Sequence, residues 1–420
     1  TGKFTNTGSL TANVDVNGTA RGIRVENGTF ANAKGATTNL NVKSEREVYT
    51  TGFAGGVEIL SNSTFDNAGV LNIDLESHAH FVKGFSFKDK TSILKNTGTI
   101  TIVGVNHGDG QNQVENPSLT DVDGAYGIFT NSGESFSNGG NLNIDVQSKK
   151  GKSYSIVANS ASFANEESGN VNLTVKVHED AAYGIQVNGA SGSAANAGTL
   201  TMDVTGGTTE KGNAYGLHAS AKSYVANTGN MTFNLHGVTS AASNAEVGAI
   251  VTTGQGTKFK NTGRIDITGR RTGDIVTSGD VLGIRVADKG VFDNAETGVI
   301  TIDLGPTGNK QAANNYAVQV LSGSTFGNAG TLNITLDHEA NNLGAVHGLL
   351  LASNAIVNNT ATGSIKIDVS PEDVALTDVL TINGQDAVIR NYGTIETNGA
   401  VRVGSILGNS ATLDGGTVKF

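Results

Sequence analysis

Residues 65–75 read FDNAGVLNIDL, and this stretch contains the pattern on which the fold depends. Asn and Gly in Asp-Asn-Ala-Gly are turn residues. After the turn, Leu71, Ile73 and Leu75 alternate with polar residues. Successive side chains of a strand point to opposite faces of its sheet. The alternation therefore predicts a strand that places these three apolar residues in a core and its polar residues in solvent.

The same phrase recurs along the chain, in about 13 copies that lie roughly 32 residues apart, a spacing typical of solenoids. Good copies are LKNTGTITI (94–102), AANAGTLTMDV (194–204), FKNTGRIDI (259–267) and FGNAGTLNITL (326–336). We assign the repeated asparagine to Asn6, Asn32, Asn67, Asn96, Asn138, Asn165, Asn196, Asn227, Asn261, Asn294, Asn328, Asn358 and Asn391.

A second phrase, small–apolar–x–apolar, lies between the copies of the first. It reads GIRV (22–25), GVEI (56–59), GFSF (84–87), GIQV (184–187), GLHA (216–219), GIRV (283–286), AVQV (317–320) and GLLL (348–351). Each period then holds three short strands, which describe one coil of a parallel β-helix. The first strand is this small–apolar segment, the second is the short segment that ends at the repeated asparagine, and the third is the alternating segment after the turn. We therefore predict an all-β, three-sheet parallel β-helix of about 13 coils, with residues 1–420 as one continuous domain.

Two expectations concern the turns and the small residues. We expect Asn and Gly to adopt left-handed conformations at the corner between the second and third strands, with the stacked amides forming an internal hydrogen-bonded ladder. We expect the small residues of the first strand to face outward and leave a shallow strip. These are Gly22, Gly56, Gly84, Gly127, Gly184, Gly216, Gly283 and Gly348.

Composition excludes several classes of protein. The chain has no Cys, which rules out disulfides, cysteine nucleophiles and cysteine metal sites. Its formal net charge of −10 argues against a nucleic-acid partner, because nucleic-acid binding needs a basic face. No apolar run is long enough for a membrane-spanning helix.

The sequence is similar to a known class of surface protein. Repeats such as NTGTITI, NAGTLNI and NAETGVITIDL, without Cys and with abundant Gly, Asn and Thr, resemble passenger domains of bacterial autotransporters (type V secretion), self-associating adhesins above all. The resemblance implies a right-handed β-helix at the cell surface or outside the cell, anchored to or released from the outer membrane. It also implies a signal peptide before this stretch and a translocator barrel after it, the only part in contact with the membrane. We therefore expect this chain to be a passenger fragment.

Catalysis on a β-helix needs clustered carboxylates. Asp121 with Asp123 and Asp373 with Asp378 are candidate pairs, but nothing distinguishes them from the acids of the third strands. The sequence also offers no aromatic cluster on which sugar rings could stack. We expect no enzymatic activity and no cofactor. The alternatives are a carbohydrate-active β-helix enzyme, a lyase or hydrolase, and a glycan-binding lectin without catalysis.

A metal site is not expected either. His78 and His80 are the only close pair of histidines, and no ligands follow them at a metal-binding spacing. The Asp- and Asn-rich stretch 106–124 lacks both the EF-hand spacing and the calcium-binding nonapeptide.

The third strand presents short polar residues outward, and in stacked coils they would form a flat ladder. Many weak hydrogen bonds along such a ladder could join two copies of the chain. We predict a self-association face made of Asn72, Asp74, Asn143, Asp145, Asn172, Thr174, Thr201, Asp203, Thr232, Asn234, Asn333 and Thr335.

The longest connection, 103–124, is a candidate binding loop, because loops carry function more often than scaffolds do. Its candidate residues are His107, Asp109, Asn112, Glu115, Asp121 and Asp123. The predicted function is a surface adhesin that mediates self-association, biofilm formation or host attachment. The predicted partners are a second copy of the chain or a host glycan or protein.

Overall fold

The computed structural model contains strands and turns. It describes residues 2–419 except 46–51, 79–80, 108–123, 132, 150, 177–179, 207–211, 237–244, 270–279, 306–313, 338–345, 370–376, 385, 399, 405–411 and 415–416. None of the described residues form a helix of the length and apolarity that crosses a bilayer. The chain folds as two compact units, residues 1–202 and residues 203–420.

In the first unit, every repeat contributes one strand to each of three parallel sheets. Sheet A consists of Gly2–Asn6, Gly28–Asn32, Thr64–Asn67, Ile93–Asn96, Ser135–Asn138, Ser162–Asn165 and Ser193–Asn196. Sheet B consists of Ser9–Asn17, Thr37–Glu45, Val70–Ser77, Thr99–Asn106, Asn141–Ser148 and Asn170–Lys176. Sheet C consists of Ala20–Glu26, Phe53–Leu60, Phe81–Phe87, Gly124–Thr130, Lys152–Asn159 and Ala182–Asn188. The strand Thr199–Thr205 of sheet B contains the boundary between the units.

The second unit repeats this arrangement. Its sheet A consists of Tyr224–Asn227, Lys258–Asn261, Val291–Asn294, Thr325–Asn328, Ile356–Asn359, Val388–Asn391 and Thr412–Asp414. Its sheet B consists of Asn230–His236, Arg264–Gly269, Val299–Leu304, Thr331–Leu336, Ser364–Val369, Thr394–Thr397 and Thr417–Lys419. Its sheet C consists of Ala214–Ala219, Val247–Thr253, Val281–Ala287, Asn315–Val320, Val346–Leu351, Thr377–Asn383 and Ala400–Gly404.

The predicted fold class is confirmed: the protein is an all-β parallel β-helix with three sheets. The number of coils differs slightly from the expected thirteen. Counted over both units, the described residues form fourteen strands in sheet A, fourteen in sheet B and thirteen in sheet C.

The core lies between the three sheets and is built from the predicted alternation. Leu71, Ile73 and Leu75 are at most 1% exposed, whereas the polar residues between them face solvent. Each coil also pairs its core residues with the equivalent residues of the next coil. In sheet A of the second unit, for example, Phe292 stacks on Phe259, with ring centroids 4.6 Å apart. The burial of these aligned apolar columns stabilises stacked coils together, because one coil alone has too little apolar area to be stable.

The asparagine ladder is confirmed. Within each unit, the side-chain Nδ2 of one ladder asparagine donates to the Oδ1 of the next, at 2.7–3.0 Å from Asn6 to Asn196 and at 2.8 Å from Asn227 to Asn391. A second amide hydrogen reaches a backbone carbonyl, as Asn67 Nδ2 does at Thr99 O, 3.0 Å away. The buried amides therefore have hydrogen-bond partners and hold successive coils in register.

One asparagine of the ladder was assigned wrongly. Asn359, and not Asn358, pairs with Asn328 and Asn391, and Asn358 lies on the outer face of sheet A. The corner Asn359–Gly363 has three residues between Asn and Gly, as 294–298 and 165–169 do. Asn358 and Asn359 are adjacent, so the sequence alone distinguishes them only if the ladder asparagine is known to lie four residues before the corner glycine.

The expected left-handed corner is wrong for the asparagines. Among the described residues, no ladder asparagine has a positive φ angle, and the non-glycine residues that do lie in the turns between sheets C and A, for example Ser61 (42°) and Asn62 (57°). At the corner between sheets A and B, Gly35 is left-handed, with a φ angle of 83°. Glycine is needed at the corner for a different reason. A Cβ at Gly98 would overlap the carbonyl oxygen of Gly69 in the preceding coil. The corner requires a residue without a side chain because the backbones of stacked coils approach closely.

The glycine strip of the first strand faces inward and not outward. A Cβ at Gly56 or Gly127 would lie 2.5 Å from the Cγ2 atom of Ile73 or Ile144, respectively, in the core. The strand pairing skips this position, so the glycine and the apolar residue after it both face the core. The prediction failed because it assumed strict alternation through this irregular position.

Candidate binding surfaces

The outer face of sheet B in the first unit carries two columns of mostly polar side chains. One column contains Asn39, Asn72, Thr101, Asn143 and Asn172. The other contains Asn41, Asp74, Val103, Asp145 and Thr174. All are exposed or half-exposed, so the predicted residues of this unit lie on one solvent-facing surface.

Hydrogen bonds between coils order the amides of this surface. Asn72 Nδ2 donates to Asn39 Oδ1 at 2.9 Å, and Asn172 Nδ2 donates to Asn143 Oδ1 at 2.9 Å. An amide has two donor hydrogens and an oxygen with two lone pairs. The ladder therefore leaves hydrogen-bonding capacity that points to solvent.

In the second unit, the same face of sheet B is more highly charged. Its two columns contain Thr232, Asp266, Thr301, Asn333 and Lys366, and Asn234, Thr268, Asp303, Thr335 and Asp368. Ion pairs along single strands join Arg264 to Asp266 at 2.6 Å and Lys366 to Asp368 at 2.7 Å. Within the strand at the boundary of the units, Thr201 and Asp203 also face solvent, and Asn234 Nδ2 donates to Asp203 Oδ1 at 2.7 Å.

Of the six candidate residues in the predicted loop 103–124, only His107 is among the described residues. Asp109, Asn112, Glu115, Asp121 and Asp123 lie outside them. The predicted bounds were too wide, because residues 103–106 belong to the strand Thr99–Asn106 and residue 124 begins the strand Gly124–Thr130. His107 directly follows the strand Thr99–Asn106, and its Nε2 lies 3.4 Å from Glu76 Oε1. The same oxygen is 2.9 Å from His78 Nε2. Stacking of coils therefore places a second histidine and a carboxylate beside His78, a contact that residue spacing along the chain does not indicate.

The two carboxylate pairs considered from sequence lie almost entirely outside the described residues. Asp121, Asp123 and Asp373 lie outside them, and only the backbone of Asp378 is described.

A strip of aromatic residues, which the sequence did not predict, lines the outer face of sheet C in the first unit. Phe53 stacks on Phe81 with centroids 4.9 Å apart, and Tyr126, Tyr154 and Tyr183 form a second stack with spacings of 5.2 and 5.1 Å. Burial raises the pKa of the Tyr154 and Tyr183 phenols. The expectation of no aromatic cluster is therefore wrong.

Lys83 lies between the two aromatic stacks. Its Nζ is 4.3 Å from the ring centroid of Phe81, 4.7 Å from that of Phe129 and 5.6 Å from that of Tyr126. These distances are within the range of cation–π attraction. The ammonium thus joins the phenylalanine stack to the tyrosine stack.

A groove of about 420 Å³ opens beside this lysine. Its walls are the rings of Phe53, Phe81, Phe87 and Phe129, and its polar lining is Glu58, Lys83, Ser86, Lys88, Asn131 and Glu134. An apolar wall with a few convergent polar groups is typical of a small-molecule binding site.

Both carboxylates of the groove are almost completely buried. Glu58 is 5% exposed and forms ion pairs with Lys88 at 2.9 Å and Arg21 at 3.3 Å. Glu134 is 1% exposed, and its Oε2 accepts a hydrogen bond from Asn131 N at 3.1 Å. Buried charges with partners on the protein form a fixed electrostatic lining.

A sequence signal for the tyrosine stack does exist. In the strands of sheet C, a tripeptide with a central tyrosine recurs directly before the apolar residues. It reads AYG at 125–127, 182–184 and 214–216, SYS at 153–155 and NYA at 315–317. Tyrosine is sparse in the composition, but these copies occupy the same position of their coils, and Tyr126, Tyr154 and Tyr183 do so in three consecutive coils. The register of the repeats, and not the total count of aromatics, determines whether rings stack.

Comparison with known proteins gives no relative: the chain matches no family model, no curated protein and no solved structure.

Proposed function

We propose that the chain is an adhesive segment of a bacterial surface protein, of the autotransporter passenger type, and that copies associate through the outer face of sheet B. The observation that carries the proposal is the pre-ordered amide ladder of this face, in which Asn172 is bound to Asn143 and Asn72 to Asn39. Ordering side chains at an interface costs free energy. Here the fold has already ordered these side chains, so association costs less conformational entropy and weak contacts can suffice.

Short side chains also favour close approach. Asn, Thr and Asp dominate the face, so two such surfaces could exchange hydrogen bonds over their whole length. Each bond contributes only about 0.5–1.5 kcal/mol, and strength depends on how many coils take part. Association along a repetitive surface suits aggregation and attachment of cells better than it suits catalysis.

The test replaces five residues of the face with lysine: Asn143, Asn172, Thr201, Asn234 and Asn333. A matched control places five lysines on the outer face of sheet A, at Ser137, Ala164, Ala195, Ala226 and Asn358, which gives the same net charge. Sedimentation velocity measures association, and settling of cells that display each chain measures adhesion.

We expect the sheet B variant to lose association and settling, and the sheet A variant to keep both. Circular dichroism checks that both variants fold. If the folded sheet B variant associates as well as the native chain, the interface lies elsewhere.

A second candidate function, glycan binding, is favoured by the aromatic groove. Sugar rings pack their C–H faces on aromatic rings, and the polar lining could fix hydroxyl or carboxylate groups. The exposed part of Phe129 offers one such surface beside Lys83. The experiment measures binding to an immobilised panel of neutral and uronic-acid saccharides. Phe129→Ala should remove binding, and Tyr224→Ala, at an exposed tyrosine of sheet A, should leave it unchanged. No binding by the native chain would contradict this second function.

A further inference from the structure

The end of sheet B in the first unit brings two histidines together from adjacent coils. His78 and His107 each directly follow a strand, and the paired strands end at Ser77 and Asn106. The backbone N–H of His107 donates to the Ser77 carbonyl at 2.8 Å, which continues the register beyond the strands. The two imidazole rings stack with centroids 4.3 Å apart and planes 3° apart.

A carboxylate completes the cluster. Glu76 Oε1 lies 2.9 Å from His78 Nε2 and 3.4 Å from His107 Nε2, and the three donor atoms are all within 4.8 Å of one another. Among the described residues, no other group of three such ligands is this close. A tetrahedral ion with bonds of about 2.0–2.1 Å places neighbouring donors about 3.3 Å apart. The two separations from Glu76 are close to that value.

We propose that Glu76, His78 and His107 form a binding site for a divalent transition metal such as zinc. Imidazole nitrogens suit Zn²⁺, Cu²⁺, Ni²⁺ and Co²⁺, whereas Ca²⁺ and Mg²⁺ prefer sets of oxygen ligands. Three protein ligands leave a fourth position for water or for a group from another molecule.

The side chains have room to adopt coordination geometry. Both imidazoles are partly exposed, 25% for His78 and 21% for His107, so each ring can turn its Nε2 lone pair toward a shared ion. The ion would link consecutive coils through side chains, as the asparagine ladder does inside the core.

One cation of the protein opposes metal binding. Lys43 Nζ lies 3.8 Å from Glu76 Oε2 and 2.8 Å from Glu45 Oε1. It therefore contacts the carboxylate oxygen that faces away from the histidines. Its positive charge repels a metal ion at the other oxygen, so removing the charge should strengthen binding.

The experiment titrates Zn²⁺ into the metal-free chain by calorimetry and records the visible absorption of added Co²⁺, which is strong in tetrahedral sites. We expect one ion per chain. His78→Gln and His107→Gln should each weaken Zn²⁺ binding at least tenfold. His236→Gln, at an exposed histidine of sheet B, is the matched control and should not change it.

Lys43→Met provides a test in the opposite direction, with an expected gain in Zn²⁺ affinity of a few fold. Binding should weaken as pH falls, because the metal requires neutral imidazoles. The proposal is wrong if the native chain binds no Zn²⁺, or if the two glutamine variants, shown to be folded by circular dichroism, bind it as tightly as the native chain.

Discussion

Ile334 and Asn333 are neighbours in sequence but lie on opposite faces of sheet B. Ile334 is 1% exposed in the core, whereas Asn333 is half-exposed between Thr301 and Lys366. Ile334→Asp would bury an unpaired charge and should lower the free energy of unfolding by roughly 4 kcal/mol or more. Asn333→Asp should change it by less than about 0.5 kcal/mol. Urea denaturation of the two variants measures the difference; similar losses would contradict the assigned register.

His218 makes the second unit sensitive to acid. Burial lowers the pKa of its imidazole from 6.5 to about 4. As pH falls below 6.5, the unfolded chain takes up a proton that the folded chain does not. Stability is therefore highest above pH 6.5 and decreases until about pH 4, by roughly 3 kcal/mol from this residue.

Urea denaturation at pH 7 and pH 4.5 checks this effect. His218→Gln should lose less stability between the two pH values than the native chain does. His236→Gln, at an exposed position, should behave like the native chain. An identical pH dependence in all three chains would show that His218 is not responsible.

At the scale of single elements, the protein contains two asparagine ladders that differ in burial. Asn294, in the buried one, accepts from Asn261 Nδ2 and donates to Asn328 Oδ1, both at 2.8 Å. In the exposed ladder, Asn172 Nδ2 donates to Asn143 Oδ1 at 2.9 Å. Water can hydrogen-bond to either amide if this bond is lost. Asn294→Ala leaves buried polar atoms without partners and should cost about 2–4 kcal/mol, against less than about 1 kcal/mol for Asn172→Ala. Thermal or urea unfolding measures the loss of stability in each variant. Equal losses would argue against a structural role for the buried ladder.

The strands of sheet B and the buried amides could be predicted because their signals are local. Alternation over 71–75 is sufficient to assign the inward residues, and the short Asn-x-Gly corner marks the ladder position. The glycines of sheet C were placed on the wrong face because Gly56 and its equivalents interrupt the alternation, and the contact with Ile73 comes from another strand.

The candidate sites depend on contacts between coils, which alternation within one strand does not report. The solvent-facing side chains of sheet B were predicted correctly, because the alternation within each strand determines which face of the sheet a side chain lies on. The contact of His78 with His107 depends on the lengths of the connections in two coils. The aromatic groove depends on the register of sheet C, which stacks Tyr126 on Tyr154. Predicting either feature would require the positions of side chains in neighbouring coils.

At the scale of the whole molecule, charge and repetition have opposite effects on association. The formal net charge of −10 repels a second copy at long range, while the repeated polar face offers many short-range contacts. Salt screens repulsion over distances beyond about 10 Å at 0.1 M. We therefore expect moderate salt to strengthen association in sedimentation velocity runs. A steady weakening as salt increases would instead indicate that ion pairs across the interface dominate.

The most direct test of association through sheet B uses the absence of cysteine in the chain, which allows single cysteines to report contacts between copies. Asn72→Cys, Asn143→Cys and Asn172→Cys place the thiol on sheet B, whereas Ala164→Cys and Gln186→Cys place it on sheets A and C. Disulfide-linked dimers are measured after mild oxidation of each variant and of pairwise mixtures, because in a symmetric dimer one position can face a different one. We predict dimers from the sheet B positions, alone or mixed, and only background from the other two. Dimers that form mainly through Ala164→Cys or Gln186→Cys would contradict the account.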